Sequence, residues 1–300
     1  MSHYYENKLN ILEKLFGKKI KIKNSSSLII DDVEYSTVND IIVLNELKSN
    51  LKYNTVNSFG EEWNTFSQIT SEHFIEFDLY FNQVDLNKLN NKVICDFGCG
   101  IGRWSKILST KVDFEYLILV DLSDSINVAR QYFYENDNVI FIKCDLDKLI
   151  FKQNCIDFFY CLGVLHHLPD RYPKAISKIH HCSRRGLIYL YYDLKNRGKF
   201  FKFIFKIANI IRLVLIRMKK YEHRVKISYL LTFILYMPFV LINKLLISLK
   251  IKKRVPLEFY SNSSIYRIRQ DAYDRFFTDI EHRYGQSQIL KNFSVFFKKI

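Results

Sequence analysis

The sequence predicts an α/β protein. It should hold a parallel β-sheet covered by helices, a helical insertion after that sheet's fifth strand, and a small β-leaning region at the N-terminus. Three observations predict this. From Asn91 to Leu194 short apolar runs alternate with stretches of helical period, the pattern of strands joined by helical crossovers. The first run ends in glycines, and the next two end at Asp121 and Asp145. From Lys199 the chain turns long, apolar and basic without a strand pattern.

The elements follow in order. Residues 1–57 read as small β-leaning elements, and "SLIIDDVEYSTVNDIIVL" (Ser27–Leu44) has two apolar runs around a polar turn, which predicts a hairpin. "SFGEEWNTFSQ" (Ser58–Gln68) starts an aromatic-rich helix, and "EHFIEFDLYFNQV" has apolar residues at helical spacing. "KVICDFG" is a buried strand ending at glycine, and "GRWSKILST" a helix. "FEYLILVDLS" is the second strand, "DSINVARQYFYEN" a helix, and "NVIFIKCDL" the third strand. "CIDFFYCLGVLHHL" is the fourth strand running into a loop, "RYPKAISKIHHCS" a helix, and "GLIYLYYDL" the fifth strand. No internal repeat is visible. After Pro256 the chain is polar again.

Three hundred residues suit one or two domains. The expected segments are 1–57, 58–195, 196–255 and 256–300. Scarce Pro and Gly and abundant aromatics argue against a disordered chain. The N-terminus lacks the apolar core and small-residue cleavage site of a secretory signal. Its six cysteines therefore read as buried free thiols of a cytoplasmic protein. Cys95 and Cys99 share the spacing that opens a radical iron–sulfur motif, but no third cysteine follows in Ile101–Ser105, so both read as small core residues. The net charge of +14 is local. Lys195–Arg254 holds sixteen Lys or Arg against one acid, Glu222, and the rest of the chain is close to neutral.

The glycine turn in "VICDFGCGIGRWSKIL" (Val93–Leu108) marks a ligand site, because ligands of such sheets bind beyond the carboxyl ends of the strands. Spacing narrows the ligand. A dinucleotide turn needs G-x-G-x-x-G, and Arg103 stands where its third glycine belongs. No G-K-[ST] follows, so the turn is not a phosphate-binding loop either. The pattern present is D-x-G-x-G-x-G: Asp96, Gly98, Gly100 and Gly102.

On these residues, and on Asp121, "CDL" (Cys144–Leu146) and "IDFFYCLGVLHHLPD" (Ile156–Asp170), the segment from Lys92 to Leu194 resembles the class I S-adenosylmethionine (SAM) dependent methyltransferases. The resemblance implies their Rossmann-like parallel sheet, SAM as cofactor, and cofactor contacts from Asp96, Gly98, Gly100, Gly102, Asp121, Leu122, Asp145, Leu146 and Leu162. It implies that the glycine turn wraps the methionine part of SAM, that Asp121 meets the ribose hydroxyls, and that Asp145 and Leu146 meet the adenine. Taken singly, these residues have plainer readings. Asp121 could be a turn or helix-cap residue, Asp145 a surface turn, and the histidines hydrogen-bonding loop residues.

"FGEEWNTF" (Phe59–Phe66) looks like the F-G-x-x-W-x-x-F element of one methyltransferase group, where it helps close the cofactor pocket. Trp63 and Phe66 at helical spacing could equally be core. That group often begins with a zinc ribbon, and Glu34–Leu44 looks like a degenerate ending of one. Residues 1–94 hold no cysteine, and His3 and His73 are too few for a tetrahedral site, so no metal is expected. "AYDRF…HRY" (Ala272–Tyr284) looks like the segment before that group's last helix, after which relatives add two strands. Either those strands are lost here or the sequence is a fragment.

Taken as one helix, Lys199–Lys220 lines up Lys199, Lys202, Lys206, Arg217 and Lys220 on one stripe, with Arg212 and Lys219 off it. "YLLTFILYMPFVLINKLLISL" (Tyr229–Leu249) is long enough for a membrane span but is interrupted by Pro238 and Asn243 and contains Lys244. Three readings stay open for the segment: a helical lid on the site, a surface-lying membrane anchor through 199–249, and a nucleic-acid surface. Aliphatic rather than base-stacking residues between the lysines place the last behind the other two.

The expected activity is methyl transfer to a small-molecule, sugar or lipid-linked acceptor. The alternatives are a SAM-binding module without catalysis at a membrane or partner surface, and an RNA methyltransferase. A hydroxyl or amine acceptor must lose a proton. His167 is the candidate base and His166 the second, with Tyr160 and Asp170 as further lining residues.

Overall fold

The structure, a computed structural model, describes residues 5–45, 60, 65–168, 172–218, 220–253, 255–278 and 281–297. The chain divides into two compact units, one of Met1–Gly60, His73–Asp193 and Ile280–Ile300, the other of Glu61–Glu72 and Leu194–Asp279.

The first unit opens with helix α1 (Leu9–Phe16), an element that the β-leaning reading of residues 1–57 missed. Ile11, Leu12, Leu15 and Phe16 fall on its buried face, and Gly17 closes it with φ 67° while its N–H reaches the Glu13 carbonyl. Then come β1 (Ile20–Asn24), β2 (Ser27–Ile30), β3 (Val33–Val38) and β4 (Ile41–Val43), each antiparallel to the one before. The expected single hairpin is thus part of a four-stranded meander. Its turns at Asp31–Asp32 and Asn39–Asp40 have positive φ at both residues, the conformation that matches strand twist in two-residue hairpins and suits Asp and Asn.

The main strands are β5 (Val93–Phe97), β6 (Tyr116–Asp121), β7 (Val139–Lys143), β8 (Phe158–Leu162) and β9 (Gly186–Tyr189). Among the described residues the nine strands form one sheet, ordered β1-β2-β3-β4-β7-β6-β5-β8-β9. The pairs from β4 and β7 through to β9 are parallel. Because β4 pairs with β7, the N-terminal strands extend the main sheet.

Helices α2 (Ser71–Tyr80), α3 (Arg103–Leu108), α4 (Ile126–Tyr132) and α5 (Tyr172–Cys182) complete this architecture with α10 (Gln286–Phe293). Strand alternation sorts the faces. Val93, Cys95 and Phe97 join one apolar cluster with Leu12 and Leu15 of α1 and Ile176 and Ile179 of α5. Asp96 points to the opposite face, where Ser105 of α3 meets it. All six cysteines are buried and free.

The second unit is helical. It contains α6 (Lys199–Leu215), α7 (Tyr221–Leu231), a π-helical turn (Thr232–Tyr236), α8 (Met237–Ser248) and α9 (Ile265–Phe277). Pro238 lacks the N–H that an unbroken helix needs, and it stands in the first turn of α8, just after the π turn. Helix α6 ends at Leu215, so Arg217 and Lys220 are not on one helix with Lys199, Lys202 and Lys206. The five-residue stripe is corrected to these three lysines. Arg212, off the stripe, is buried, and its Nε and one Nη donate to the Thr278 carbonyl at 3.1 and 2.7 Å. It satisfies an orphan carbonyl at the end of α9. Lys219 lies outside the described residues.

Candidate functional site

Strand β5 is paired to β6 on one side and β8 on the other. The chain runs outward to β7 first and then returns to β8, so the switch point lies between β5 and β8. A crevice beyond the carboxyl ends is the ligand position there. The expected glycine turn leaves β5 at that place.

Gly98, Gly100 and Gly102 all have positive φ, at 81°, 54° and 71°. An L side chain at such φ is strained. Space forbids one as well. A Cβ on Gly98 would lie 2.3 Å from Val164 Cγ2, and one on Gly102 would lie 2.9 Å from Ala129 Cβ of α4. At Gly163, φ 79°, a Cβ would meet nothing within 4 Å, so the backbone after β8 faces open space.

Asp96 is buried in β5, opposite Tyr160 of β8 in the ladder. Its Oδ2 accepts from Ser105 Oγ at 2.7 Å, and Ser105 Oγ is 2.6 Å from the Tyr160 hydroxyl. Burial pushes the Asp96 carboxyl up to about 7, with a push from Asp121, against the lowering pull of Ser105 and Tyr160. Tyr160, expected to line the site, is fully buried in this network instead.

Asp121 ends β6. Its Oδ2 accepts the Gly100 N–H at 2.8 Å, and its Oδ1 accepts from Ser123 N and Ser123 Oγ at 2.8 and 2.6 Å. It therefore ties the glycine turn to the second strand, a task that its strand-end position did not reveal. Burial raises its carboxyl, and these donors oppose the rise. Leu122 follows it, half-buried. Asp145, just beyond β7, is buried, as is Leu146. The Asp145 N–H donates to Asn45 Oδ1 at 2.9 Å, and Leu44 N–H to the Lys143 carbonyl. Asn45 was not foreseen. It reaches this strand end because β4 pairs with β7, a long-range pairing without a local signal.

Leu162 ends β8 and is buried. His166 and His167 follow in a 3-10 turn, with ring centroids 4.1 Å apart. His166 is fully buried, stacked on Tyr191 at 3.8 Å, and both its ring nitrogens lack a hydrogen bond among the described residues. Burial, helped by His167 and Arg283, drives its pKa down to about 2. A general base should titrate near the working pH, so His166 is packed rather than poised. His167 stays the candidate and is 7% exposed. The His282 N–H donates to the His166 carbonyl at 2.9 Å, and the Arg283 guanidinium lies 5.1 Å from the Tyr191 ring. Tyr191, His282 and Arg283 were not foreseen as neighbours of the histidine turn.

Asp170 and Trp63 lie outside the described residues, as do Phe59 and 61–64 of the F-G-x-x-W-x-x-F element. Phe66 is core of the helical unit, 5.5 Å from the Tyr266 ring and 5.8 Å from that of Tyr273. Among the described residues no cluster of His, Cys, Asp or Glu could hold a metal ion.

Residues 94–186 match the family described as "Methyltransferase domain". A curated relative, malonyl-[acyl-carrier protein] O-methyltransferase 2 of Coxiella burnetii, is 26% identical over 74 residues, which is 25% of this chain and 30% of that protein. The chain thus matches under a third of that relative's length. A SAM-dependent methyltransferase from Mesorhizobium loti aligns at 23% identity and a TM-score of 0.32, covering 36% of this chain and 48% of that one. One from Aquifex aeolicus aligns at 15% identity and a TM-score of 0.38, covering 47% and 77%. Over residues 94–186 the chain thus carries a methyltransferase domain, a kind that implies SAM as methyl donor.

Proposed function

We propose that this chain transfers a methyl group from SAM to a small-molecule, sugar or lipid-linked acceptor. We place the cofactor along the carboxyl ends of β5, β6, β7 and β8. One observation carries this reading: three carboxylates, Asp96, Asp121 and Asp145, stand at or next to adjacent strand ends around a turn of three positive-φ glycines. That set suits SAM, whose ammonium, sulfonium and ribose hydroxyls seek negative or accepting partners. It opposes a pyrophosphate, which needs donors and positive charge.

When bound, SAM supplies a methyl group made electrophilic by the sulfonium. The chain's own residues then bind, orient and deprotonate. In this reading Gly98, Gly100 and Gly102 let the backbone approach the methionine part, and Asp96 lends negative charge beneath it. Asp121 keeps the turn in place through Gly100 and offers its remaining lone pairs to the ribose. Asp145 and Leu146 meet the adenine, while Leu122 and Leu162 supply apolar wall. His167 takes the proton from a hydroxyl or amine acceptor held in line with the S–CH3 bond. Malonyl-[acyl-carrier protein], named for the Coxiella burnetii relative, is one acceptor to assay.

Calorimetry with SAM, S-adenosylhomocysteine and NAD tests the site. The first two should bind and NAD should not. Asp121→Ala should weaken SAM binding, since hydrogen bonds to charged groups are worth about 1.5–3 kcal/mol. Unchanged affinity removes Asp121 from the cofactor site. Labelled SAM with a cell extract tests transfer. Tight SAM binding without label transfer would favour a non-catalytic module, and transfer at the wild-type rate by His167→Ala would remove His167 as base.

A further inference from the structure

Helix α6 has three faces. Ala208, Ile211 and Leu215 pack into the cluster that also holds Phe276 and Phe277 of α9. Phe200, Phe203, Ile207, Ile210 and Val214 form a second apolar row at i, i+3, i+7, i+10 and i+14, and all are exposed. Lys199, Lys202 and Lys206 form a third row, each one residue before a member of the second, and they too are exposed. At 3.6 residues per turn the lysine row lies roughly 90° beyond the exposed apolar row, on the side away from the core. An ordinary surface helix has a single apolar face, turned inward.

Elsewhere in the same unit α8 exposes Leu241, Ile242, Leu245 and Ile247, and Phe233 and Ile234 of the π turn are exposed as well. Apolar surface of this extent on a monomer marks an interaction. The charge around it selects the partner. Sixteen basic residues against Glu222 leave the segment strongly cationic. A second copy of the chain would bring the same charge and repel, whereas an anionic bilayer offers hydrocarbon for the phenylalanines and phosphates for the lysines.

Tyr221–Ser248 is, among the described residues, one helical stretch long and apolar enough to cross a membrane. Its polar contacts argue for a surface position. Ser228 Oγ accepts from Arg269 Nε at 3.1 Å, the Tyr236 hydroxyl donates to Asp271 at 2.9 Å, and Arg269 lies 3.6 Å from the centre of the Tyr229 ring. Spanning would carry the charges of α9 into hydrocarbon, where they are costly.

We propose that the helical unit docks on an anionic membrane surface, with the exposed row of α6 inserted at the headgroup boundary and Lys199, Lys202 and Lys206 on lipid phosphates. The test is co-sedimentation of the full chain with vesicles of equal parts phosphatidylcholine and phosphatidylglycerol, and with pure phosphatidylcholine. The wild type should pellet with the first, less at high salt, and weakly with the second. Lys199→Gln/Lys202→Gln/Lys206→Gln should bind the anionic vesicles roughly 100-fold more weakly. Phe200→Ser/Phe203→Ser should bind neither kind. Phe203→Trp keeps the bulk of the row and reports even if the serine variant misfolds: its emission should shift blue on anionic vesicles and be quenched by brominated lipid. Carbonate washing should release the wild type, and retention would overturn the surface position. The docking itself is overturned if the wild type stays in the supernatant, if both variants match it, or if the row proves buried in a dimer by sedimentation equilibrium. Salt-sensitive binding to RNA but not to vesicles would overturn it equally.

Discussion

Every residue of β5 and β8 in the sheet unit is buried, whereas α6 of the helical unit leaves Phe200 57%, Phe203 60%, Ile210 57% and Val214 63% exposed. Both stretches are strongly apolar, and the difference lies in how many faces have a partner. Strands β5 and β8 are covered on both sides, by α1 and α5 on one and by Ser105 of α3 on the other. Helix α6 meets α9 along one face only. Polar groups show the reverse contrast. In the sheet unit Asp96 is buried in a hydrogen-bonded network, while in the helical unit Lys199, Lys202 and Lys206 are exposed.

The largest break in that comparison should come from the glycine turn. Gly98→Ala adds a Cβ against Val164 at φ 81°, and strain with crowding should cost about 2–5 kcal/mol. Chemical denaturation should show the loss, and calorimetry a matching loss of SAM affinity. Wild-type values in both would mean that the turn is far more pliable than its packing.

The next effect is pH dependence at Asp96. Well below pH 3.8 the carboxyl is protonated whether folded or unfolded. As pH rises from the ordinary value of 3.8 towards about 7, the unfolded chain loses the proton and the folded chain keeps it. Stability therefore falls with rising pH across that window, by roughly 1.4 kcal/mol per unit, and levels off above it. Asp96→Asn should flatten this slope in a denaturation series. A cationic cofactor beside Asp96 should also expel its proton near neutrality, so SAM binding enthalpy should vary with the buffer's ionisation enthalpy. A buffer-independent enthalpy would place the cofactor's charge away from Asp96.

Arg212→Ala sharpens the helical side. It leaves the Thr278 carbonyl without its charged donor, a loss of about 1.5–3 kcal/mol. Amide exchange should quicken in α6 and α9, and unchanged protection there would show that water replaces the guanidinium. The smallest effect belongs to Lys199→Gln/Lys202→Gln/Lys206→Gln. Exposed charges removed from a helix surface should shift folding stability by less than about 0.5 kcal/mol each. A larger fall in thermal unfolding temperature would give the row a folding role.

Much of the sheet unit was legible because its signals are local. Apolar runs closed by Gly98, Asp121 and Asp145 mark strand ends, and the alternation with helical stretches marks parallel pairing. The four-stranded meander was half legible: its turn residues at Asp31–Asp32 and Asn39–Asp40 are local, but the pairing of β4 with β7 is not. Helix α1 carried a signal that the reading passed over, four apolar residues at helical spacing before Gly17. The helix assumed from Lys199 to Lys220 failed because hydropathy alone does not mark the end of α6 at Leu215.

Sequence alone determined the order of strands and helices, the glycine turn and the concentration of charge in one segment, since each depends on residues close together in the chain. Tertiary structure decided what those residues do. It set Asp96 against Ser105 and Tyr160, gave Asp121 the Gly100 amide, brought Asn45 to Asp145, and withdrew His166 into a stack with Tyr191. It also divided the apolar residues of α6 between a packed face and an exposed one. Those outcomes depend on contacts between residues 9 to 100 apart in the chain, where desolvation and a matching neighbour, rather than local propensity, set the free energy.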